Sequence, residues 1–279
     1  MREIEVSVVS KKIEELFLKA NKILPNDITK ALKNAEKIEE GACKSALNII
    51  NRNISIANEL NLPICQDTGL AVVFLEVGQD VHFVGGNLYE AINKGVENAY
   101  VKGLLRLSVV EDPLNRVNTN TNTPAIIHTK IVDGEGLKIT VAPKGMGSEN
   151  MSGIKMLNPS EAKQGIINAV LEITKKAGSN ACPPMIIGVG IGGNFEESAL
   201  LAKTALVRDI NSSNPNPTYK ALEDELLEKI NNLNIGPQGF GGKTTALKVN
   251  IEYMPTHIAG LPVAVNIGCY VNRHLSETI

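Results

Sequence analysis

The feature that most narrows what this chain can fold into is MIIGVGI, Met185–Ile191, an unbroken apolar run between Pro183–Pro184 and Gly192–Gly193. A short apolar run bounded by turn residues reads as a strand buried inside a sheet. Helical and strand patterns interleave around it. Residues 1 to about 60 read as mostly helical. Asp27 can cap a helix that carries Ile28, Ala31, Leu32, Ala35 and Ile38 on one face. Gly41 separates that helix from a second amphipathic segment ending near Leu60. Leu70–Val77 is a β-rich run, and Leu88–Leu105 is helical again. NRVNTNTNTP, Asn115–Pro124, is a polar loop of a length that is often functional. Ile126–Val132 and Leu137–Val141 read as strands joined by a DGEG hairpin turn. Ser160 caps a helix that stops at Gly178. Helices over Phe195–Val207 and Thr218–Leu233, split by SSNPNP, lead to strands Ala246–Tyr253 and Leu261–Ile267. The interleaving has no strict βαβ rhythm. The expected class is α/β, or mixed α+β: one domain over 1–279, its helical N-terminal part packed on a mixed sheet.

Composition removes several function classes. Lys plus Arg total 28 against 30 Asp plus Glu, a formal net charge of −2, which is not the basic footprint of a nucleic-acid binder. Aromatic residues are 4% with no Trp, which argues against base- or sugar-stacking platforms. Four cysteines in 279 residues make no disulfide scaffold. The N-terminal MREIEVSVVSKK lacks the long apolar run of a secretory signal. No apolar stretch approaches the roughly 18 residues of a spanning helix. The expectation is a soluble, cytoplasmic protein with reduced thiols and neither a membrane nor a nucleic-acid partner.

Two glycine motifs look like nucleotide sites and fail on context. Gly188, Gly190 and Gly193 fit G-x-G-x-x-G. A dinucleotide site also needs an acidic residue ending a second strand about 20 residues on, and the chain there reads RDINSSNPNPT. A tight strand-to-helix turn is the favoured reading, although amides at such a helix start remain able to hold a carboxylate. GGKTT, Gly241–Thr245, ends like a P-loop. The glycine that must stand five positions before its last one is Pro237 instead.

The cysteines differ in their neighbours. Cys43 lies between Ala42 and Ala46 in a helical stretch and reads as a small buried hydrophobe. Cys65 precedes Gln66, Asp67, Thr68 and Gly69, just before a strand. Cys182 precedes Pro183–Pro184, and Cys269 follows Gly268 at the end of a strand. There is no C-x-x-C, which excludes a zinc ribbon or a ferredoxin-type loop. Separated cysteines are usually packing residues. Three thiols at strand edges, if they converge, would instead suit an iron–sulfur cluster with one iron left open as a Lewis acid.

Taken with their neighbours, these segments resemble a known family. PICQDTGLAV, LRLS, VNTNTNTPAIIH, PKGMGSEN, ACPPMIIGVGIGG, GFGGKTTA and MPTHIAGLPVAVNIGCYVNRH occur in that order. Together they resemble the alpha subunit, or N-terminal half, of class I fumarate hydratase, and the alpha subunit of L-tartrate dehydratase is similar. The resemblance runs from about residue 10 to the C-terminus. It implies that Cys65, Cys182 and Cys269 bind a [4Fe-4S] cluster whose fourth iron is open to substrate. It implies that Gln66 and Asp67 lie beside the substrate, that Arg106 binds a carboxylate, and that Gly147 offers a backbone donor. It makes His257 an active-site histidine, with Asp67 shuttling a proton and His257 orienting it. The bland alternatives are a turn cap for Asp67 and a structural role for His257.

The implied reaction is the reversible hydration of fumarate to (S)-malate, a step of the tricarboxylic acid cycle. The alternative is dehydration of L-tartrate to oxaloacetate. The fused members of the family carry a second half that this chain lacks. The expected partner is therefore a beta subunit, in an alpha2beta2 heterotetramer whose active site takes a C4 dicarboxylate. Two rivals from other classes are a non-catalytic iron–sulfur redox carrier that uses Cys43 as a fourth ligand, and an NAD-binding oxidoreductase.

Overall fold

A computed structural model describes residues 1–279. In chain order the elements are β1 (Arg2–Glu5), α1 (Val6–Lys22), α2 (Asn26–Ile38), α3 (Gly41–Glu59), β2 (Leu70–Gly78), β3 (Val81–Val84) and α4 (Leu88–Lys102). Then come β4 (Ile126–Val132), β5 (Leu137–Lys144), α5 (Met146–Glu149), β6 (Gly153–Leu157), α6 (Ala162–Ala177) and β7 (Met185–Gly193). The chain ends with α7 (Phe195–Ala205), α8 (Pro217–Asn231), β8 (Ala246–Thr256), β9 (Leu261–Gly268) and β10 (Leu275–Thr278). The class is mixed α/β, as the interleaved pattern implies. No helix is long and apolar enough to cross a membrane.

Packing divides the chain into two compact units. One holds Met1–Pro25, Ile54–Met146 and Arg273–Ile279; the other holds Asn26–Asn53 and Gly147–Asn272. The N-terminal part is helical as expected, yet its helices do not stay together. Helix α1 belongs to the first unit, and α2 with most of α3 belongs to the second.

The first unit is built on a four-stranded sheet in the order β10-β5-β2-β4. Val9, Ile13, Phe17 and Ala20 of α1 and Ile92, Val96, Ala99 and Tyr100 of α4 close a core with Val73, Leu75, Ile139 and Val141. The DGEG segment is not a hairpin turn. β2 lies between β4 and β5, parallel to the first and antiparallel to the second. β2 and β5 are mostly buried and take the inner places, whereas β4 is mostly exposed and takes the edge. DGEG arches over the end of β2: a side chain on Gly78 would meet the Gly134 carbonyl at 2.3 Å. Helix α4 stops before the expected Leu105, because Leu104 turns left-handed at φ 53°. The short strands β1, β3 and β10 have no alternation that the sequence could announce.

The second unit is a three-layer arrangement around the sheet β6-β9-β7-β8. Side chains alternate across a strand. Met185, Ile187, Val189 and Ile191 of β7 pack with Ile166, Val170 and Ile173 of α6 and Leu222, Leu226 and Ile230 of α8. The other face of β7 carries Gly188 and Gly190 under α7. A Cβ on Gly188 would lie 2.1 Å from the Ala202 carbonyl, and one on Gly190 would lie 2.0 Å from that of Ser198. These glycines let a helix backbone rest on a strand and do not form a phosphate turn. The strand-to-helix turn itself is made by Gly192 and Gly193, at φ 92° and 64°. Helix α6 ends at Gly178 as expected. Ser160 does not cap its start: it lies inside a 3-10 turn, Pro159–Glu161, that an Asn158–Glu161 capping box closes, and α6 itself begins without a side-chain cap. GGKTT leads into strand β8 rather than into the helix a P-loop requires.

A methyl group at Gly190 has nowhere to go. Gly190→Ala is expected to cost about 3 kcal/mol or more. Gly136→Ala, whose added carbon meets only Thr278 at 3.7 Å, is expected to stay within about 0.5 kcal/mol. Urea unfolding of the two variants and the parent checks both.

Candidate active site

The CQDTG segment crosses into β2 in the first unit and is pinned from beneath. Ile64 is buried and donates its N–H to the Asn21 carbonyl at 2.9 Å. Cys65 and Asp67 are half-buried and Gln66 is exposed. The Asp67 carboxylate accepts the Gly69 N–H on Oδ1 and the Met146 N–H on Oδ2, both at 3.0 Å. The turn-cap alternative for Asp67 is thus realised by one oxygen, while the other reaches a residue far along the chain. Gly69 stands at φ 84°, and a Cβ there would press the Lys144 backbone at 2.7 Å.

A buried arginine holds the main chain of the same residue. Arg273 donates from Nη2 to the Asp67 carbonyl at 2.7 Å and from Nη1 to Asn21 Oδ1 at 3.0 Å. Tyr100, fully buried, donates its hydroxyl to the Thr68 carbonyl at 2.8 Å. Burial pushes that phenol well above its ordinary range. Thr68 Oγ1 in turn accepts the Arg106 N–H at 2.9 Å. The Arg106 backbone is therefore tied to the segment that bears Asp67, while its side chain is exposed. The first unit brings together Cys65, Gln66, Asp67 and Arg106.

The second unit gathers a different set. Cys182 follows the 3-10 turn after α6 and sits left-handed at φ 52°, exposed. Cys269 comes directly after β9, whose Gly268 pairs with Ile186 near the start of β7. The Tyr270 N–H donates to the Cys182 carbonyl at 3.3 Å, which sets the two cysteine backbones side by side. Gly147 lies next to this turn: a Cβ there would meet the Asn180 carbonyl at 3.9 Å, an ordinary contact. Glu149 anchors the short helix α5, pairing with Lys203 and accepting from Asn266 Nδ2 at 2.9 Å.

His257 is not part of this gathering. It is exposed in the connection between β8 and β9, and its Nδ1 accepts the Ala259 N–H at 3.2 Å. It precedes β9 while Cys269 follows it, so the eight residues of that strand separate them, roughly 25 Å at strand rise. Cys43 is buried and donates its thiol hydrogen to the Gly241 carbonyl at 2.9 Å. Burial, with Glu39 second, pushes its pKa up.

None of the four cysteines is in a disulfide. Within either unit, no three His, Cys, Asp or Glu side chains group as a metal site. The donor chemistry nevertheless suits an iron–sulfur cluster. Two thiols stand at one end of one sheet, one exposed and one half-buried, and a third is half-buried beside Asp67 in the other unit. Thiolates are the ligands that such clusters use. Sequence reasoning missed Arg273 and Asn21, since an arginine close after the last cysteine gives no sign that it will be buried. It also missed Gln238, which donates from both its backbone N–H and Nε2 to the Pro183 carbonyl, at 2.9 and 2.8 Å.

Fold and site together define a mixed α/β protein with one half-buried thiol next to a fixed carboxylate and an exposed arginine in its first unit, and two thiols at one end of the sheet in its second. Comparison with known proteins narrows this class. The sequence matches the family model described as "Fumarate hydratase (Fumerase)" over residues 10–278. It is 42% identical over 279 residues to "Putative L(+)-tartrate dehydratase subunit alpha" of Methanocaldococcus jannaschii, with 97% of each chain covered. It is 37% identical over 257 residues to "L(+)-tartrate dehydratase subunit alpha" of Escherichia coli (strain K12), with 90% of this chain and 84% of that one covered. A Shigella sonnei protein of the same name matches to the same extent. The chain belongs to the fumarate hydratase (fumerase) family, a family of hydro-lyases.

The burial contrast among the thiols is directly measurable. In the cluster-free chain at neutral pH, iodoacetamide is expected to label Cys182 on the order of tenfold faster than Cys43, which is both covered and slow to ionise. Because its pKa is raised, Cys43 labelling is expected to gain speed only above the pH at which an ordinary thiol ionises. Peptide mass spectrometry over a time course reads both rates.

Proposed function

We propose that this chain is the alpha subunit of a two-subunit iron–sulfur hydro-lyase acting on a C4 dicarboxylate, interconverting fumarate and (S)-malate. The observation that carries the reading is the pairing of Asp67 and Arg106 through Thr68, directly after Cys65, in a chain of this family. A [4Fe-4S] cluster held by Cys65, Cys182 and Cys269 would supply a Lewis-acidic iron for the hydroxyl that leaves as water.

The chain's own residues do the rest. Arg106 offers a planar fork of donors to one substrate carboxylate. Its exposed side chain on a fixed backbone suits it to capture a dianion from solvent. Asp67 already spends one lone pair of each oxygen on a backbone N–H. That holds its plane in place and leaves the remaining lone pairs to accept a proton from water or return it. Gln66, exposed next to it, can donate to a substrate oxygen, and the Gly147 N–H is assigned a donor role only through the family resemblance. His257, separated from the thiol end of its own sheet, is assigned the orienting role only through the family resemblance.

The relatives' names carry "subunit alpha", and on that ground we assign this chain a beta-subunit partner; the alpha2beta2 stoichiometry is assigned through the family resemblance alone. The same names favour a second reading, L-tartrate as substrate. The two acids differ by one hydroxyl, and a site built to bond that hydroxyl rejects the substrate lacking it strongly.

Assaying the two-subunit enzyme with fumarate, (S)-malate and L-tartrate decides between them. A larger kcat/KM for fumarate and malate supports the first reading, and a larger one for tartrate replaces it with the second. The chain alone is expected to turn over neither, and robust activity without a partner would contradict the subunit assignment. Arg106→Ala is expected to lower kcat/KM by about 2–3 kcal/mol of transition-state stabilisation while leaving the cluster spectrum as it was.

A further inference from the structure

The glycine-rich segment that mimics a P-loop has a different use. Asn234, Gly236, Gln238, Gly239, Gly241 and Gly242 all take positive φ, so the segment is coiled tightly on itself. Gly241 N–H donates to the Ile235 carbonyl at 2.8 Å, Gly242 N–H to Asn234 Oδ1 at 2.9 Å, and Gly236 N–H to Thr245 Oγ1 at 3.1 Å. No side chain fits at Gly236, whose Cβ would fall 1.2 Å from the Gly241 carbonyl. From outside, the buried Glu39 accepts the Thr244 N–H at 2.6 Å, and Cys43 donates to Gly241. The coil is anchored at its base and has one projecting edge.

That edge faces the turn that carries Cys182. Gln238, left-handed at φ 53°, aims two donors at one acceptor, the Pro183 carbonyl. Gly239 packs so closely that a Cβ there would lie 2.5 Å from Ser179 Cβ. Ser179 and Pro183 bracket Cys182, itself left-handed, and the Cys182 N–H donates back to the Ser179 carbonyl at 3.1 Å. A non-glycine residue stays left-handed only where its surroundings hold it. Two successive contacts from one rigid coil do that here, on both sides of the cysteine.

We infer that Gln238 is a positioning residue for Cys182: the clamp from Gln238 and Gly239 fixes the direction in which that thiol is presented. The inference rests on the cluster reading only for its consequence, since the clamp acts on the thiol whether or not iron is bound. It also gives Cys43 its role, as the hydrogen-bond anchor of the coil and not as a ligand.

The test uses the full chain with Gln238→Glu, which keeps the shape but loses the donor, and Gln238→Leu, which keeps the bulk without polarity. In the cluster-free chain, iodoacetamide labelling of Cys182 is expected to change about three- to tenfold in both variants, the range of one lost hydrogen bond, while Cys43 labelling stays at the parent rate. In the reconstituted chain, loss of visible absorbance under a ferrous chelator is expected to accelerate by a similar factor. Unchanged Cys182 labelling in both variants overturns the inference, and so does a parallel rise at Cys43, which would mean general loosening. If the parent chain binds no cluster while Cys182 labelling still responds, the positioning role stands and the cluster reading falls.

Discussion

Helix α7 lies so close on strand β7 that Gly188 and Gly190 have no room for a single carbon beyond the backbone. The second unit depends on this contact. With α7 seated there and α6 and α8 on the other face, β7 is covered on both sides and all its residues but the last are buried. Its register then fixes β9 antiparallel to it. Through that pairing the segment after β9 comes beside the segment before β7, so Cys269 and Cys182 share one end of the sheet. Burying a continuous apolar strand is strongly favourable, on the order of 1.5–3 kcal/mol for each large side chain. The exposed thiol turn leads directly into this doubly covered strand.

The first unit solves a related problem by different means. Its Cys65–Gly69 segment has no apolar run of its own to bury, so polar groups tie it down. Arg273 is almost wholly buried, with donors on Asp67 and Asn21 and with Nε unpartnered. Leaving a buried polar group unsatisfied costs about 1–3 kcal/mol, so this arginine is not an economical way to stabilise a fold. What it achieves is a fixed carbonyl under Asp67. Tyr100 does the same for Thr68, and Thr68 for Arg106. A fixed backbone beneath the half-buried Asp67 and the exposed Arg106 is the support a binding edge requires.

Much of this was legible in the sequence. The apolar run at Met185, the stop at Gly178, the break at Gly41 and the strand at Leu70 all follow from local rules, and each has its counterpart. The failures share a cause. DGEG looks like a hairpin because its two strands are neighbours in sequence, but β2 is more apolar and takes the place between them. GVGIGG and GGKTT look like phosphate loops because glycine reports close approach without saying to what: in one case a helix lies on a strand, in the other a coil closes on itself. Of the site, the residues beside the cysteines could be picked out by resemblance. Arg273, Asn21 and Gln238 could not, since their roles come from contacts hundreds or tens of residues away in the chain. The separation of His257 from Cys269 along β9 is also a property of the strand between them and of no motif.

The proposed function rests on Cys65, Cys182 and Cys269 serving as the cluster's ligands while Cys43 does not. Anaerobic reconstitution with iron and sulfide, followed by iron counting and Mössbauer spectroscopy on each single Cys→Ser variant, tests it most directly. The account predicts about four iron atoms per parent chain, as in a cubane cluster, a marked loss in each of the three ligand variants, and parent-like content in Cys43→Ser. Full iron content in any of the three, or its loss in Cys43→Ser, would contradict it.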